Sequence, residues 1–319
     1  RSMRDGDKLV GWGMATGIWE AQQVPSVARA VLTGDGRLQV SSCSADIGPG
    51  TYTIMTQIAA ETLGLPLADD SYSLGDSAMP QATIEGGSAT ASSVGSAVLA
   101  VCESVKKTLF KHARKLEGSP LASARIEDVV FVEREIRLRS DPSKAVSFRA
   151  AMRQGGLSCV EEQTTAIPDP KRIKFTCNAH AAVFVEVKVD EALGEVTVTR
   201  VVSAVAGGRI LNPKTARSQI LGGVVWGMGM ALYEESLLDH RLGRFMNHNL
   251  AEYHVPVNAD VRDIEVIFVE ERDDVVNPLG AKGLGEIGIV GVAAAIANAV
   301  FHATGKRIRD LPITLDKLL

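Results

Sequence analysis

Cysteine is scarce in this chain: 319 residues hold four, Cys43, Cys102, Cys159 and Cys177, and no two form a C-x-x-C pair. Their spacing excludes a thiolate-held structural zinc or an iron–sulfur cluster ligated by this sequence. So few cysteines in so long a chain point to reduced thiols and a cytoplasmic protein, with the periplasm open to it only by export alongside a partner. Surplus positive charge is missing too. With 34 basic and 38 acidic residues the net charge is −4, the wrong sign for a protein that lives on phosphate backbones, which excludes nucleic acid as a primary partner. Arg1 to Lys8 lacks the apolar stretch of a signal peptide.

Nor is a membrane span expected. Nothing between Glu286 and Lys306 is charged, but the stretch is built from Gly288, Gly291 and a series of alanines, carries Asn298 and His302, and is closed by Gly305. That is the composition of a buried helix with close neighbours. Nucleotide and metal signatures are absent as well. There is no Walker Gly-Lys-Ser/Thr run, Gly48-Pro49-Gly50 lacks the Rossmann spacing, and His180, His248, His254 and His302 do not form H-E-x-x-H. Satisfied structural histidines are therefore expected.

What the chain does have is a globular balance, 45% apolar and 23% charged, enough length for two packed cores, and 30 glycines that fall in clusters. Those clusters punctuate a plan that occurs twice. Val27 to Val40 reads as a hairpin around Thr33-Gly34-Asp35-Gly36. The loop Asp46-Ile47-Gly48-Pro49-Gly50-Thr51 then feeds a helix ended by Gly64, Ser71 to Leu74 is a strand, and Glu85-Gly86-Gly87-Ser88-Ala89-Thr90 feeds a second helix over about 91–116. Later, Ala181 to Val205 makes a hairpin, Pro213 opens a helix running to about Glu234, Ile264 to Val269 is a strand, and Gly280 to Gly288 leads into the small-residue helix. The expected fold is α+β: two related hairpin–helix–strand–helix units, 1–170 and 171–319, divided at the polar stretch Ile167 to Lys174.

Each glycine-rich loop feeds a helix start, where unpaired N–H groups and the positive dipole end favour an anion. In the last loop Glu286 stands between glycines, and two readings are open: an acid in a first helical turn, complementing the dipole, or a general base with room around its carboxylate. Asp46 and Asp76 read as turn caps. Trp226, Met228 and Met230, on a helix with Gly222, Gly223, Gly227 and Gly229, read as close helix packing before a ligand wall.

Together these segments resemble a known family. Asp46 to Thr51 with Gln57-Ile58-Ala59-Ala60-Glu61, Leu74-Gly75-Asp76, Gly87-Ser88-Ala89-Thr90, Gly208-Arg209-Ile210-Leu211-Asn212-Pro213, Asn249-Leu250-Ala251-Glu252-Tyr253 and above all Lys282-Gly283-Leu284-Gly285-Glu286 are similar to the molybdenum-binding subunit of the xanthine dehydrogenase and aldehyde oxidase family. The resemblance spans nearly the whole chain but only the C-terminal half of that subunit. It implies a molybdopterin cofactor, in its cytosine dinucleotide form, whose metal is held by pterin sulfurs and not by side chains. It further implies that Gly48, Gly50 and Thr51 lie on one cofactor loop, that Gly87, Ser88, Ala89, Thr90, Ala91 and Ser92 form a second, and that Lys282, Gly283, Leu284 and Gly285 border the metal centre. Glu286 matches the family's catalytic base, in a hydroxylation of an aldehyde or N-heteroaromatic that uses oxygen from water. The implied partners are the N-terminal half of the molybdenum subunit, an iron–sulfur subunit and an FAD subunit. Without them this fragment is expected to be inactive. The alternative is a redox-inactive cofactor-binding or assembly module of the same fold. Pro49 departs from the family, many of whose members have Gln there.

Overall fold

The computed structural model describes residues 3–319. Along the chain the strands and helices are β1 (Arg4–Asp5), β2 (Lys8–Glu20), β3 (Ser26–Thr33), β4 (Leu38–Ser41), α1 (Thr51–Leu63), β5 (Asp70–Ser73), α2 (Thr90–Ala113), β6 (Val129–Val132), β7 (Glu135–Leu138), β8 (Asp141–Ser147), α3 (Phe148–Gln154) and β9 (Cys159–Ala166). They continue as β10 (Asn178–Asp190), β11 (Glu195–Ala206), α4 (Pro213–Leu232), β12 (Leu238–Asp239), β13 (Arg244–Phe245), β14 (Asp263–Phe268) and α5 (Val292–Thr304). The chain is α+β, as its glycine and β-branched patterning implied.

These elements form two compact units. One comprises Ala21–Cys177 with Asp273–Lys282; the other comprises the segment ending at Glu20 with Asn178–Arg272 and Gly283–Leu319. The division expected near residue 170 has its counterpart at Cys177/Asn178, but two segments cross over. Residues through Glu20 go with the later half because β2 pairs along its length with β10, from Glu20↔Asn178 to Leu9↔Val189. Asp273–Lys282 goes with the earlier half.

The duplicated plan is visible in the sheets. In the Ala21–Cys177 unit the strand order is β5-β4-β3-β9, with β4 and β5 parallel and the other pairs antiparallel. In the other unit it is β1-β2-β10-β11-β14, with β11 and β14 parallel and the other pairs antiparallel. Each unit thus has a hairpin, a helix leading to a parallel edge strand, and a second helix after it. The fourth strand differs: β9 arrives late in the chain, β2 early. A separate antiparallel sheet, β6-β7-β8, belongs to the first of these units.

Period-two burial explains how each sheet carries its helices. On β3 the side chains of Ala28, Ala30 and Leu32 are buried, alternating with exposed Arg29. On β10 the valines at 183, 185, 187 and 189 are buried together with Ile220, Val224 and Met228 of α4. The uncharged stretch after Glu286 is explained by β2. A Cβ on Gly11 would lie 2.1 Å from the Ala299 carbonyl oxygen, and one on Gly13 2.1 Å from that of Ala295. The helix backbone therefore rests directly on the strand, which only glycine opposite alanine allows. No helix among the described residues is long and apolar enough to cross a membrane.

Candidate functional site

In the Ala21–Cys177 unit the first glycine-rich loop is organised by Asp46. Its Oδ1 accepts from the amides of Gly48 (2.9 Å) and Gly50 (3.3 Å), and its Oδ2 from that of Tyr52 (3.3 Å). Gly48 and Gly50 take φ of 107° and 88°, a left-handed turn that glycine accommodates without strain. The protein's own carboxylate thus fills the donor end of α1, where negative charge is favoured. This is the turn cap expected of Asp46. It also changes what the loop offers: the Gly48 and Gly50 amides are in use, and Thr51 is buried. Open space remains at Gly48, where a Cβ would meet nothing within 4 Å.

The second loop is different. Gly87 and Ser88 both take positive φ, 62° and 57°, and α2 starts at Thr90 with Ala89 as its N-cap, a residue whose side chain makes no capping bond. Its hydroxyls face inward. Ser92 Oγ donates to the carbonyls of Gln22 and Ala89, Ser93 Oγ accepts from the Val24 amide at 2.9 Å, and Gln23 Nε2 donates to Ser96 Oγ at 3.3 Å. These bonds hold the start of α2 against residues 22–24. From Thr90, Ala91 and Ser92 the helix end therefore presents backbone donors, while the Ser92 hydroxyl is committed to the interior.

Lys282 closes the segment Asp273–Lys282 of the same unit. Its side chain is buried, with Nζ 3.3 Å from Asp273 Oδ2. Asp273 Oδ1 accepts from the amides of Val275 and Val276, each at 3.0 Å. Buried Asn277 turns the chain back: its Nδ2 donates to the Ala281 carbonyl at 2.6 Å and its Oδ1 accepts from the Leu279 amide at 3.1 Å. None of Glu85, Asp273 and Asn277 was singled out from the sequence. A carboxylate directly before Gly86-Gly87 was the available signal for Glu85; Asp273 and Asn277 look like ordinary loop residues.

Gly283, Leu284, Gly285 and Glu286 belong to the other unit. Gly283 is buried and Gly285 exposed. Leu284 reaches Gly207, where a Cβ would lie 2.5 Å from its Cδ2. Glu286 is half-buried, with Oε2 shut off from solvent. It does not occupy the first turn of a helix: α5 begins at Val292 behind Gly291, and Glu286 lies in the preceding turns, its carbonyl accepting from the Ile289 amide at 3.1 Å. The dipole-complementing reading of this carboxylate loses its geometric basis. Gly288 lies against Gly223 and Ile220 of α4, so the turn that carries Glu286 rests on a helix face kept small.

Asp76, His302 and His248 have local roles, whereas two of the three large side chains on α4 are not packed as the sequence suggests. Asp76 Oδ1 caps the Ala78 amide at 2.8 Å. His302 Nδ1 accepts from the Trp12 amide at 2.9 Å, and His248 Nδ1 lies 3.0 Å from the Phe245 carbonyl. On α4, Met228 is buried while Trp226 and Met230 are exposed. Among the described residues no group of three or more His, Cys, Asp or Glu is placed to hold a metal ion.

Comparison with known proteins adds to this geometry. A family profile described as a molybdopterin cofactor-binding domain matches residues 1–262. The aldehyde oxidoreductase molybdenum-binding subunit PaoC of Escherichia coli (strain K12) is 42% identical over 317 residues, covering 99% of this chain and 41% of that protein. The xanthine dehydrogenase molybdenum-binding subunit of Escherichia coli O157:H7 is 32% identical over 331 residues, covering 99% and 42%. Quinoline 2-oxidoreductase from Pseudomonas putida 86 superposes with a TM-score of 0.87 at 23% identity, over 98% of this chain and 42% of that one, a likeness of fold. The chain spans about two fifths of the length of the curated relatives it matches.

Proposed function

This chain belongs to the molybdopterin cofactor-binding domain family, and from that premise we propose that it is the C-terminal portion of a molybdenum hydroxylase that oxidises an aldehyde or an N-heteroaromatic with oxygen drawn from water. The observation that carries the reading is the start of α2, where the N-cap is Ala89, with no side-chain capping bond, and Gly87 and Ser88 turn the backbone through positive φ. Backbone donors left over at a helix start suit an anionic cofactor. The open space at Gly48 accommodates a group lying against the first loop.

Bound molybdopterin supplies a molybdenum centre that accepts two electrons from the substrate. The chain's own residues hold and protonate. The amides at Thr90, Ala91 and Ser92 hold the anionic part of the cofactor, in its cytosine dinucleotide form, and the loop of Gly48, Gly50 and Thr51 gives it clearance. Lys282, Gly283, Leu284 and Gly285 border the centre, with Lys282 fixed by Asp273. Glu286 is the general base, its carboxylate taking up the proton released when the water-derived oxygen is transferred. An N-terminal half of the subunit completes the pocket, and iron–sulfur and FAD subunits carry electrons away in the cytoplasm.

The test is the molybdenum and acid-released nucleotide content of the full-length protein that carries this chain, purified with its associated subunits from cells that make the cofactor. One molybdenum and one CMP per molybdenum subunit are expected. A folded assembly with neither would instead identify a redox-inactive module.

A further inference from the structure

One side-chain oxygen joins the two glycine-rich loops of the Ala21–Cys177 unit. Glu85 Oε1 accepts from the Ala45 amide at 2.7 Å and from Ser44 Oγ at 3.1 Å. Its place in the chain makes this bond informative. Glu85 directly precedes Gly86-Gly87-Ser88, the turn into α2, and Ala45 directly precedes Asp46, which builds the turn into α1. Backbone pairing holds the two segments only upstream of these points: Cys43 bridges Gln81 in parallel, its amide donating to the Pro80 carbonyl, and the Ser42 amide donates to the Ser73 carbonyl. Beyond Ser44 and Ile84 the ladder stops. From there the first loop is folded on itself by Asp46 and the second is tied to residues 22–24 through Ser92 and Ser93. Ser44 is buried, so its hydroxyl depends on this protein acceptor.

We propose that Glu85 is a positioning residue for the cofactor: its carboxylate latches the first glycine loop to the second and sets the spacing between the open face at Gly48 and the donor end of α2. The inference rests on the reading of these loops as the cofactor site. Glu85 acts through the loops and touches no reacting atom. A ligand held by backbone from two loops is gripped only as firmly as the loops are held to each other, because any freedom between them in the empty site must be lost on binding. An acceptor oxygen is what the latch needs; its charge strengthens the bond to the Ala45 amide but does not define it.

The test uses the full-length protein with its associated subunits and follows molybdenum and CMP retained through successive gel filtrations. Both E85A and E85L remove the acceptor, and Leu keeps most of the bulk. Each should lose cofactor about tenfold faster than the parent, the effect of one charge-assisted hydrogen bond. E85Q retains an oxygen at the same reach and should return release to within about threefold. Turnover per bound molybdenum should be unchanged in all three, which separates the latch from a part in the chemistry. Folded E85A and E85L proteins that keep cofactor like the parent would overturn the proposal, as would equal loss in E85Q and E85L. Should neither folded variant be obtained, S44A removes one of the two donors and leaves the carboxylate, and faster release is expected; parental release in S44A overturns the latch. A parent protein without molybdenum or CMP overturns the cofactor reading itself, a different result from a loaded parent with indifferent variants.

Discussion

Lys282 places its Nζ 3.3 Å from Oδ2 of Asp273, with the lysine side chain only 7% exposed. A buried ammonium that loses a carboxylate partner is left with charge that has also lost its water, which is costly. Asp273→Asn should destabilise the fold by about 2 to 4 kcal/mol, read as a lower thermal midpoint. Acid should erase the difference. Burial pushes the Asp273 carboxyl up, but the Val275 and Val276 amides and Lys282 outweigh it and hold the carboxyl below its usual value. A depressed acid stabilises the fold above its unfolded pKa and loses that contribution as pH falls through the folded one. Variant and parent should therefore converge below about pH 4. A gap that persists unchanged there would show that the ion pair is not its source.

Asp70 presents the opposite case. Both carboxylate oxygens are shut off from solvent, and burial pushes the carboxyl up to about 7, opposed by the Ser71 amide. An acid raised in the folded state binds its proton more tightly there than in the unfolded chain. Stability is then greatest below the ordinary carboxylate pKa and declines as pH rises towards 7. Asp70→Asn, which cannot ionise, should raise the thermal midpoint at pH 8 and leave it nearly unchanged at pH 4. An equal effect at both pH values would contradict the assignment.

Two adjacent glycines of α4 should respond with opposite sign. A Cβ on Gly222 meets nothing within 4 Å, whereas one on Gly223 would lie 2.6 Å from the backbone of Gly288. Gly222→Ala should stabilise the protein by about 0.5 to 1 kcal/mol through helix propensity. Gly223→Ala should cost about 1 to 3 kcal/mol by overpacking, and because Gly288 follows Glu286 by two residues it should depress turnover as well. Thermal midpoints of the two variants decide it; a shift in the same direction for both would refute the packing argument.

Glu286→Gln keeps the size of the side chain and removes its basicity. In the full-length enzyme, molybdenum content should stay at the parental level while turnover falls by at least ~10²-fold, the lower end for loss of a general base. Near-parental turnover at full metal content would remove Glu286 from the proton transfer.

Local chemistry made much of this fold legible. The hairpins were marked by Thr33-Gly34-Asp35-Gly36 and by Asp190 to Glu195, and β3–β4 and β10–β11 form around them. Gly64 ends α1, and Asn212 caps α4 with Pro213 in its first turn. These signals act within a few residues, so they survive in a sequence read without its fold. The strand β2 did not announce itself, because Gly11, Gly13 and Gly17 dilute its β-propensity; Gly11 and Gly13 admit α5, which follows some 280 residues later, and Gly17 admits Val290 in the turn before it.

The sequence alone determined the repeated order of elements, the uncharged helix and the family motif ending in Glu286, all properties of residue type and near spacing. Tertiary structure alone decided which segments share a unit, that Asp46 occupies the α1 helix end, that Glu85 reaches Ala45 and Ser44, and that Glu286 stands in a turn ahead of α5. A carboxylate's role depends on which donors the fold brings within about 3 Å of it, and contacts between residues far apart in sequence leave no periodicity to read.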